Sequence, residues 1–311
     1  LIVNKNKDTK IIAAVENGKL VEIYEENEQS QKARNEGNIY LGVVKDIVPG
    51  MQAAFIDIGT EKNSFIHVKD VVPQVDEKIE KRVDTKIKDV LKTGQKILVQ
   101  IQKDSNDKKG ARTSTHIKLT GKYVVLMPNT NIVTISQKIE NEEEREKLLK
   151  TIKEFLPENT GAIVRTAAVK KSSKEIEADV KQLLNKWKKI KIKFDKESNT
   201  PKLLYKSPSI LEKIILDLPE NKIEMIMTND KKEYEDIKEM LEGMQENIKI
   251  KIEENLLEKY ELEKQIEKSK QRKIWLSCGG FITIDQTEAL VAIDVNSGKF
   301  TGKSTLEETV Y

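Results

Sequence analysis

Residues 38–68 read NIYLGVVKDIVPGMQAAFIDIGTEKNSFIHV, and this stretch decides the fold of the front of the chain. From Ile39 to Val48 apolar and polar residues alternate, the period of a half-buried strand. Pro49-Gly50 breaks that pattern, because proline brings no N–H to a ladder and glycine opens turn geometry. Ala53 to Ile58 reads as a second strand, Gly59 to Asn63 as a turn, and Ser64 to Val68 as a third strand. Further along, Pro73 to Asp89 is charged and irregular, Lys96 to Gln102 is another strand, and a basic loop covers Lys103 to Arg112. Short strands punctuated by Gly and Pro predict a small barrel.

The flanks differ in character. Thr9 to Tyr24 reads as a hairpin turning at Glu16-Asn17-Gly18, and Glu25 to Gly37 as a linker or short helix. Beyond the barrel an α/β pattern follows: strand Tyr123 to Met127, a helix from about Glu142 to Phe155, and strand Gly161 to Ala167. An amphipathic helix from Ser172 to Lys189 carries Ile176, Val180, Leu183, Leu184 and Trp187. Residues 209–272 continue as mixed α/β, with strand Ile223 to Met227, helix Lys232 to Met244 and a charged helix from about Leu257 to Arg272. From Ile274 to Phe300 the chain is apolar and Gly-containing: a strand, a turn at Asp285 to Glu288, then a buried strand Ala289 to Ile293.

Lys and Arg number 55 against 52 Asp and Glu, a net charge of +3. That balance excludes an acidic tail and a uniformly basic DNA coat, while local patches stay possible. A single cysteine, Cys278, excludes an internal disulfide and a multi-cysteine zinc site, and fits a reducing cytoplasm; it reads as a buried strand residue. No apolar run reaches the roughly 20 residues of a membrane-spanning helix. Leu1 to Lys5 is no signal peptide. The first residue is not Met, and both ends read as fragment boundaries.

Chemistry concentrates in a few places. Phe55 and Phe65, beside Lys103, Lys108, Lys109 and Arg112, suit single-stranded nucleic acid, because rings stack on unpaired bases and cations neutralise phosphates; two core phenylalanines are an equal alternative. Arg165-Thr166 ends an apolar strand, where a guanidinium fork and a hydroxyl suit a phosphate; a merely solvated strand-end arginine is the alternative. Asp294, with Asn296 and Gly298 after it, offers a hard oxygen ligand for Mg²⁺; a turn-capping Asp is the alternative. Gly298 to Ser304 imitates a phosphate-binding loop but has one residue too few between its glycines. His67 and His116 lack ligand spacing and read as structural.

Several stretches together resemble the ribonuclease E/G family, almost end to end. They are Asn38 to Gly42 (NIYLG), Pro49 to Gly59 (PGMQAAFIDIG), Thr115 to Pro128 (THIKLTGKYVVLMP), Ile163 to Ala167 (IVRTA) and Gly279 to Gly298 (GGFITIDQTEALVAIDVNSG). The last is the most specific, and Pro49 to Gly59 is nearer to the ribonuclease G branch. The resemblance implies an α+β multi-subdomain fold. A ribonuclease-H-like subdomain (residues 1–37 and 208–272) carries an inserted S1-like OB-fold barrel (38–118). A 5′-sensor α/β subdomain (119–207) and the start of a deoxyribonuclease-I-like catalytic subdomain (273–311) follow.

The same resemblance implies roles. Phe55, Phe65, Lys103, Lys109 and Arg112 would contact RNA. Arg165 and Thr166 would grip a 5′-monophosphate, with Val125 near the terminal nucleotide and a triphosphate overfilling the pocket. Asp294 would bind Mg²⁺ and Asn296 would place the scissile phosphate. Gln137-Lys138 departs from a frequent Arg-Arg. The second Mg²⁺ ligand and the family's zinc-linking cysteines would lie beyond Tyr311, so residues 1–311 would bind RNA and cut it little or not at all. A cytoplasmic homo-oligomeric endoribonuclease acting on single-stranded RNA rather than DNA is the reading. The rival is a non-catalytic OB-fold RNA-binding regulatory or ribosome-associated protein.

Overall fold

The computed structural model describes residues 1–27, 35–71, 85–105, 109–197, 200–218, 223–244, 247–287 and 290–298. The chain divides into two compact units, Leu1–Asn27 with Ile223–Tyr311, and Glu28–Lys222. The expectations for residues 28–34, 73–84, Lys108, 288–289 and 299–311 lie outside the described residues.

The first unit opens with β1 (Ile2–Lys5), β2 (Thr9–Glu16) and β3 (Lys19–Asn27), an antiparallel meander. The expected hairpin turns at Asn17 and Gly18, whose φ values of 51° and 76° are the positive pair a two-residue connection needs.

The second unit begins with β4 (Ile39–Val48), β5 (Ala53–Asp57) and β6 (Ser64–His67). Then come the short helix α1 (Ile87–Val90), β7 (Lys96–Lys103) and β8 (Arg112–Ser114). The strands run β4-β5-β6-β8-β7, and β7 pairs back onto β4, closing a five-stranded barrel. Only β6 and β8 pair in parallel. The small barrel that the strand pattern predicts is thus present, and its five closed strands fit the OB fold that the resemblance implies. Closure removes sheet edges, and the inward residues Val44, Ala54, Ile56, Ile66, Val99 and Ile101 fill it.

An α/β body follows: β9 (Leu119–Thr120), β10 (Val124–Pro128), β11 (Val133–Ile135), α2 (Glu142–Phe155), β12 (Thr160–Val164) and α3 (Ser173–Lys196). The sheet order is β11-β12-β10-β9. Leu126, Ala162 and Val164 from the sheet meet Leu148 and Ile152 of α2 and Ile176, Val180 and Leu183 of α3 in one core. Helix α3 starts in a Ser172–Glu175 capping box. It outlasts its expected end because Ile190, buried, and Phe194 extend its apolar face. Strand β13 (Lys202–Tyr205) then pairs with β4, and α4 (Ile210–Asp217) closes the unit. Near the two ends of this unit, the backbone N–H of Ser207 donates to Asn38 Oδ1 at 2.8 Å.

Back in the first unit lie β14 (Met225–Thr228), α5 (Lys231–Met244), β15 (Lys249–Ile252), α6 (Leu256–Lys259) and α7 (Leu262–Ser269). Strand β14 joins β1 in parallel and β15 joins β14, giving the order β15-β14-β1-β2-β3. The single helix expected from about Leu257 is broken in two at Glu261, whose φ is 50°. Leu256 and Leu262 are both fully buried, yet on one continuous helix they would project roughly 120° apart. The break lets both reach one core.

The chain's last described elements are β16 (Lys273–Trp275), β17 (Phe281–Gln286) and β18 (Val291–Asn296), an antiparallel sheet. Two expectations fail here. The final strand is not buried: every residue of β18 is exposed. Cys278 is not in a strand but in an exposed turn between β16 and β17.

Candidate nucleic-acid interface

Alternation on the barrel decides where the phenylalanines point. Ala54, Ile56, Ser64 and Ile66 are buried, so Phe55 and Phe65, between them, face outward and are half-buried. They are direct cross-strand partners, with ring centroids 6.1 Å apart and planes at 69°, an edge-to-face pair. The register continues the line: Phe65 is opposite Arg112, and Arg112 is opposite Lys103. Two rings and two cations thus form one row across four strands, about 15 Å at ordinary strand spacing. Arg112 Nη2 donates to Asp70 Oδ2 at 2.9 Å, which orients the guanidinium. Lys109, before β8, is exposed.

The row opens onto a cavity of about 570 Å³ whose lining includes Lys103, Arg112, His116, Lys118, Met127 and Ile132. Lys118 is absent from the sequence-derived set, and His116 is exposed rather than packed away. Both alternate with the buried Ile117 and Leu119, and that alternation is the signal that could have revealed them.

Arg165 sits at the end of β12, where its backbone N–H donates to Tyr123 O at 2.8 Å. Its Nη1 donates to Gly121 O at 2.7 Å, Lys122 O at 3.3 Å and Leu216 O at 3.0 Å. Its Nη2 donates to Asp217 Oδ1. Among the described residues its Nε–H has no partner. The loop it grips is held from the other side by Asp179 of α3. That carboxylate accepts the backbone N–H groups of Lys122 at 3.2 Å, Tyr123 at 2.8 Å and Val124 at 3.0 Å. Burial pushes the Asp179 carboxyl above its ordinary range, against the pull of those three amides. Gly121 is obligatory at this corner, since a Cβ there would stand 2.4 Å from Asp179 Oδ1. The Nζ atoms of Lys122 and Lys171 each lie 5.7 Å from the Tyr123 ring centroid, so the corner also collects cations.

Val125 is half-buried in β10, opposite Ile163 and Thr120. Thr166 is exposed and lines a cavity of about 510 Å³ with Lys138, Asn141, Glu144, Lys147 and Lys170. Arg165 is not in that lining. Asp179 and Asp217 are missing from the sequence-derived set. A charge among the apolar Ile176, Val180 and Leu183 marks Asp179; nothing local marks Asp217.

Asp294 and Asn296 share one face of β18, two residues apart. Asp294 is opposite Thr283, and Asn296 Oδ1 accepts the Gly298 N–H at 2.9 Å. Among the described residues no three His, Cys, Asp or Glu side chains converge on a metal-sized point. Asp294 is an exposed carboxylate on the same strand face as the Asn296 amide.

The signature of the S1 RNA binding domain matches residues 34–116, so the barrel is an S1 domain. The signature of the ribonuclease E/G family matches residues 118–311. Ribonuclease G of Escherichia coli (strain K12) is 33% identical over 320 residues, 100% of this chain and 65% of that protein. Ribonuclease G of Haemophilus influenzae is 34% identical with the same coverage. Ribonuclease E of Buchnera aphidicola subsp. Schizaphis graminum is 34% identical over 100% of this chain and 33% of that protein. The chain belongs to the ribonuclease E/G family, and it spans 65% of the length of its ribonuclease G relatives. Among the described residues no helix is long and apolar enough to cross a membrane.

Proposed function

We propose that this family member, in a protein of its relatives' full length, is a Mg²⁺-dependent endoribonuclease for single-stranded RNA. Ribosomal and transfer RNA processing and messenger RNA decay are the roles it would serve. The row of Phe55, Phe65, Arg112 and Lys103 on an S1 barrel carries this reading. Unpaired bases stack on the rings, each stack worth about 1–3 kcal/mol, while the cations take the phosphates. Lys109 adds to them.

At the 5′ end, Arg165 presents its Nε–H edge to a monophosphate. Thr166 contributes its hydroxyl, and Val125 packs by the terminal nucleotide. At the scissile bond Asp294 holds the metal and Asn296 places the phosphate. Bound Mg²⁺ supplies an activated water and offsets charge on the phosphate. The products carry a 3′-hydroxyl and a 5′-phosphate. One carboxylate is a sparse Mg²⁺ site, so residues 1–311 alone bind RNA and cut it little. A single cysteine does not build the family's zinc link, and no step is assigned to zinc.

The order β15-β14-β1-β2-β3, an antiparallel meander continued by two parallel strands, supports the ribonuclease-H-like reading of residues 1–37 and 208–272. The body around β10 and β12 suits a 5′ sensor, and the meander β16 to β18 suits the start of a deoxyribonuclease-I-like subdomain. A cytoplasmic, homo-oligomeric enzyme without DNA substrates completes the proposal. The test is cleavage of a 5′-monophosphorylated single-stranded RNA by the full-length protein, with and without Mg²⁺, and end-group analysis of the products. Cleavage that survives chelation, or products ending in 2′,3′-cyclic phosphate, would overturn it.

A further inference from the structure

The Arg165 guanidinium is already heavily engaged. Three backbone carbonyls fix one end of it, and its side chain is only 17% exposed. Those bonds are enough to orient the fork. Asp217 therefore adds little orientation; what it adds is a negative charge. It stands at the C-terminus of α4, whose Leu216 carbonyl points at the same guanidinium, so the negative end of the helix acts in the same sense.

We propose that Asp217 sets the charge selectivity of the Arg165 corner, admitting a 5′-monophosphate and disfavouring a 5′-triphosphate; this rests on the reading of Arg165 as a 5′-phosphate contact. An anion reaching the open Nε–H edge approaches a cation already partly neutralised. The repulsion from Asp217 grows in proportion to the charge of the incoming group, and a triphosphate carries roughly two charges more than a monophosphate. Lys122 and Lys171 lie near the Tyr123 ring, Lys171 also 3.4 Å from Glu175 Oε1. Discrimination thus arises from charge as well as from space.

The experiment measures binding of the full-length protein, under chelation, to one short single-stranded RNA bearing a 5′-hydroxyl, a 5′-monophosphate, a 5′-triphosphate or a bulky uncharged 5′ group. In Asp217→Asn, affinity for the triphosphate rises about tenfold and for the monophosphate about threefold, by Coulomb scaling in a solvent-screened site. The bulky uncharged end gains nothing. Asp217→Glu keeps the parent order, and Asp217→Ser repeats the Asn result should that variant fold poorly. An unchanged triphosphate-to-monophosphate ratio overturns the proposal. So does weaker monophosphate binding, which would make Asp217 a positioning residue. A parent protein blind to the 5′-monophosphate instead refutes the reading of Arg165 itself. The predicted gains must also shrink as salt rises; gains that ignore salt refute a Coulombic origin.

Discussion

Two strands of this chain carry nearly the same words and meet opposite fates. In the barrel, Ile56-Asp57-Ile58 buries both isoleucines, at 0% and 2% exposure. In the last sheet, Ile293-Asp294-Val295 leaves its apolar pair 62% and 69% exposed. The two aspartates differ likewise. Asp57 accepts the Gly59 N–H at 2.9 Å and meets Lys45 at 3.2 Å, which makes it a turn residue. Among the described residues Asp294 accepts no hydrogen bond. Local pattern specifies a strand and its two faces; burial comes from whatever layer is packed against it.

The sharpest way to break the comparison is to exchange the aspartates' fates. In a full-length protein, Asp294→Asn should lower RNA cleavage by more than about a hundredfold, as loss of a metal carboxylate does. Its RNA affinity under chelation should stay unchanged. Asp57→Asn should leave the cleavage rate alone. Equal losses in both would erase the distinction.

The apolar pair comes next. Ile56→Ala should cost roughly 2–5 kcal/mol in denaturant unfolding, as core truncations do. Ile293→Ala in this chain should cost less than about 0.5 kcal/mol, as at other exposed sites. Asp179→Ala should cost about 3 kcal/mol by stranding three amides, two of them buried, while the barrel, with its own core, keeps its fold.

The pH dependence of that site has a definite sign. Burial raises the Asp179 carboxyl above its ordinary 3.8, so the folded chain holds this proton longer than the unfolded one. Its contribution to stability is present in full below 3.8 and is lost as pH rises through the higher folded value. Thermal unfolding of Asp179→Asn across that window should lack this slope. On the barrel's outer face, Phe55→Ala should weaken single-strand binding by about 1–3 kcal/mol. The melting temperature should hardly move, because the ring lies outside the barrel core. An unchanged affinity would leave the ring a packing role only.

The barrel was legible because its information is local. Alternation, Pro49-Gly50 and the Gly59 turn write β4, β5 and β6 and their inward faces within ten residues each, whereas the short β8, which begins inside the expected basic loop, was not legible. Both helices of the body were legible from apolar spacing, and the family from the twenty residues around Asp294. The Arg165 corner was not, because its partners lie 44, 43 and 51 positions away and two of them are backbone carbonyls of a loop. Backbone acceptors leave no side-chain signature. The exposure of β18 was equally hidden: an apolar strand implies a covering layer without saying which part of the molecule supplies it.

The bond between Ser207 and Asn38 has an evolutionary consequence. It brings together residues near the two ends of the second unit, whose chain otherwise runs through a barrel and an α/β body. A host fold interrupted at such a point needs to span only the gap between those ends, however long the inserted chain, because closure entropy grows slowly with contour length and little once the ends are fixed. The pair therefore works as a seam, along which a nucleic-acid-binding module could be grafted into a foreign loop, or trimmed and replaced, with little disturbance to the host's topology.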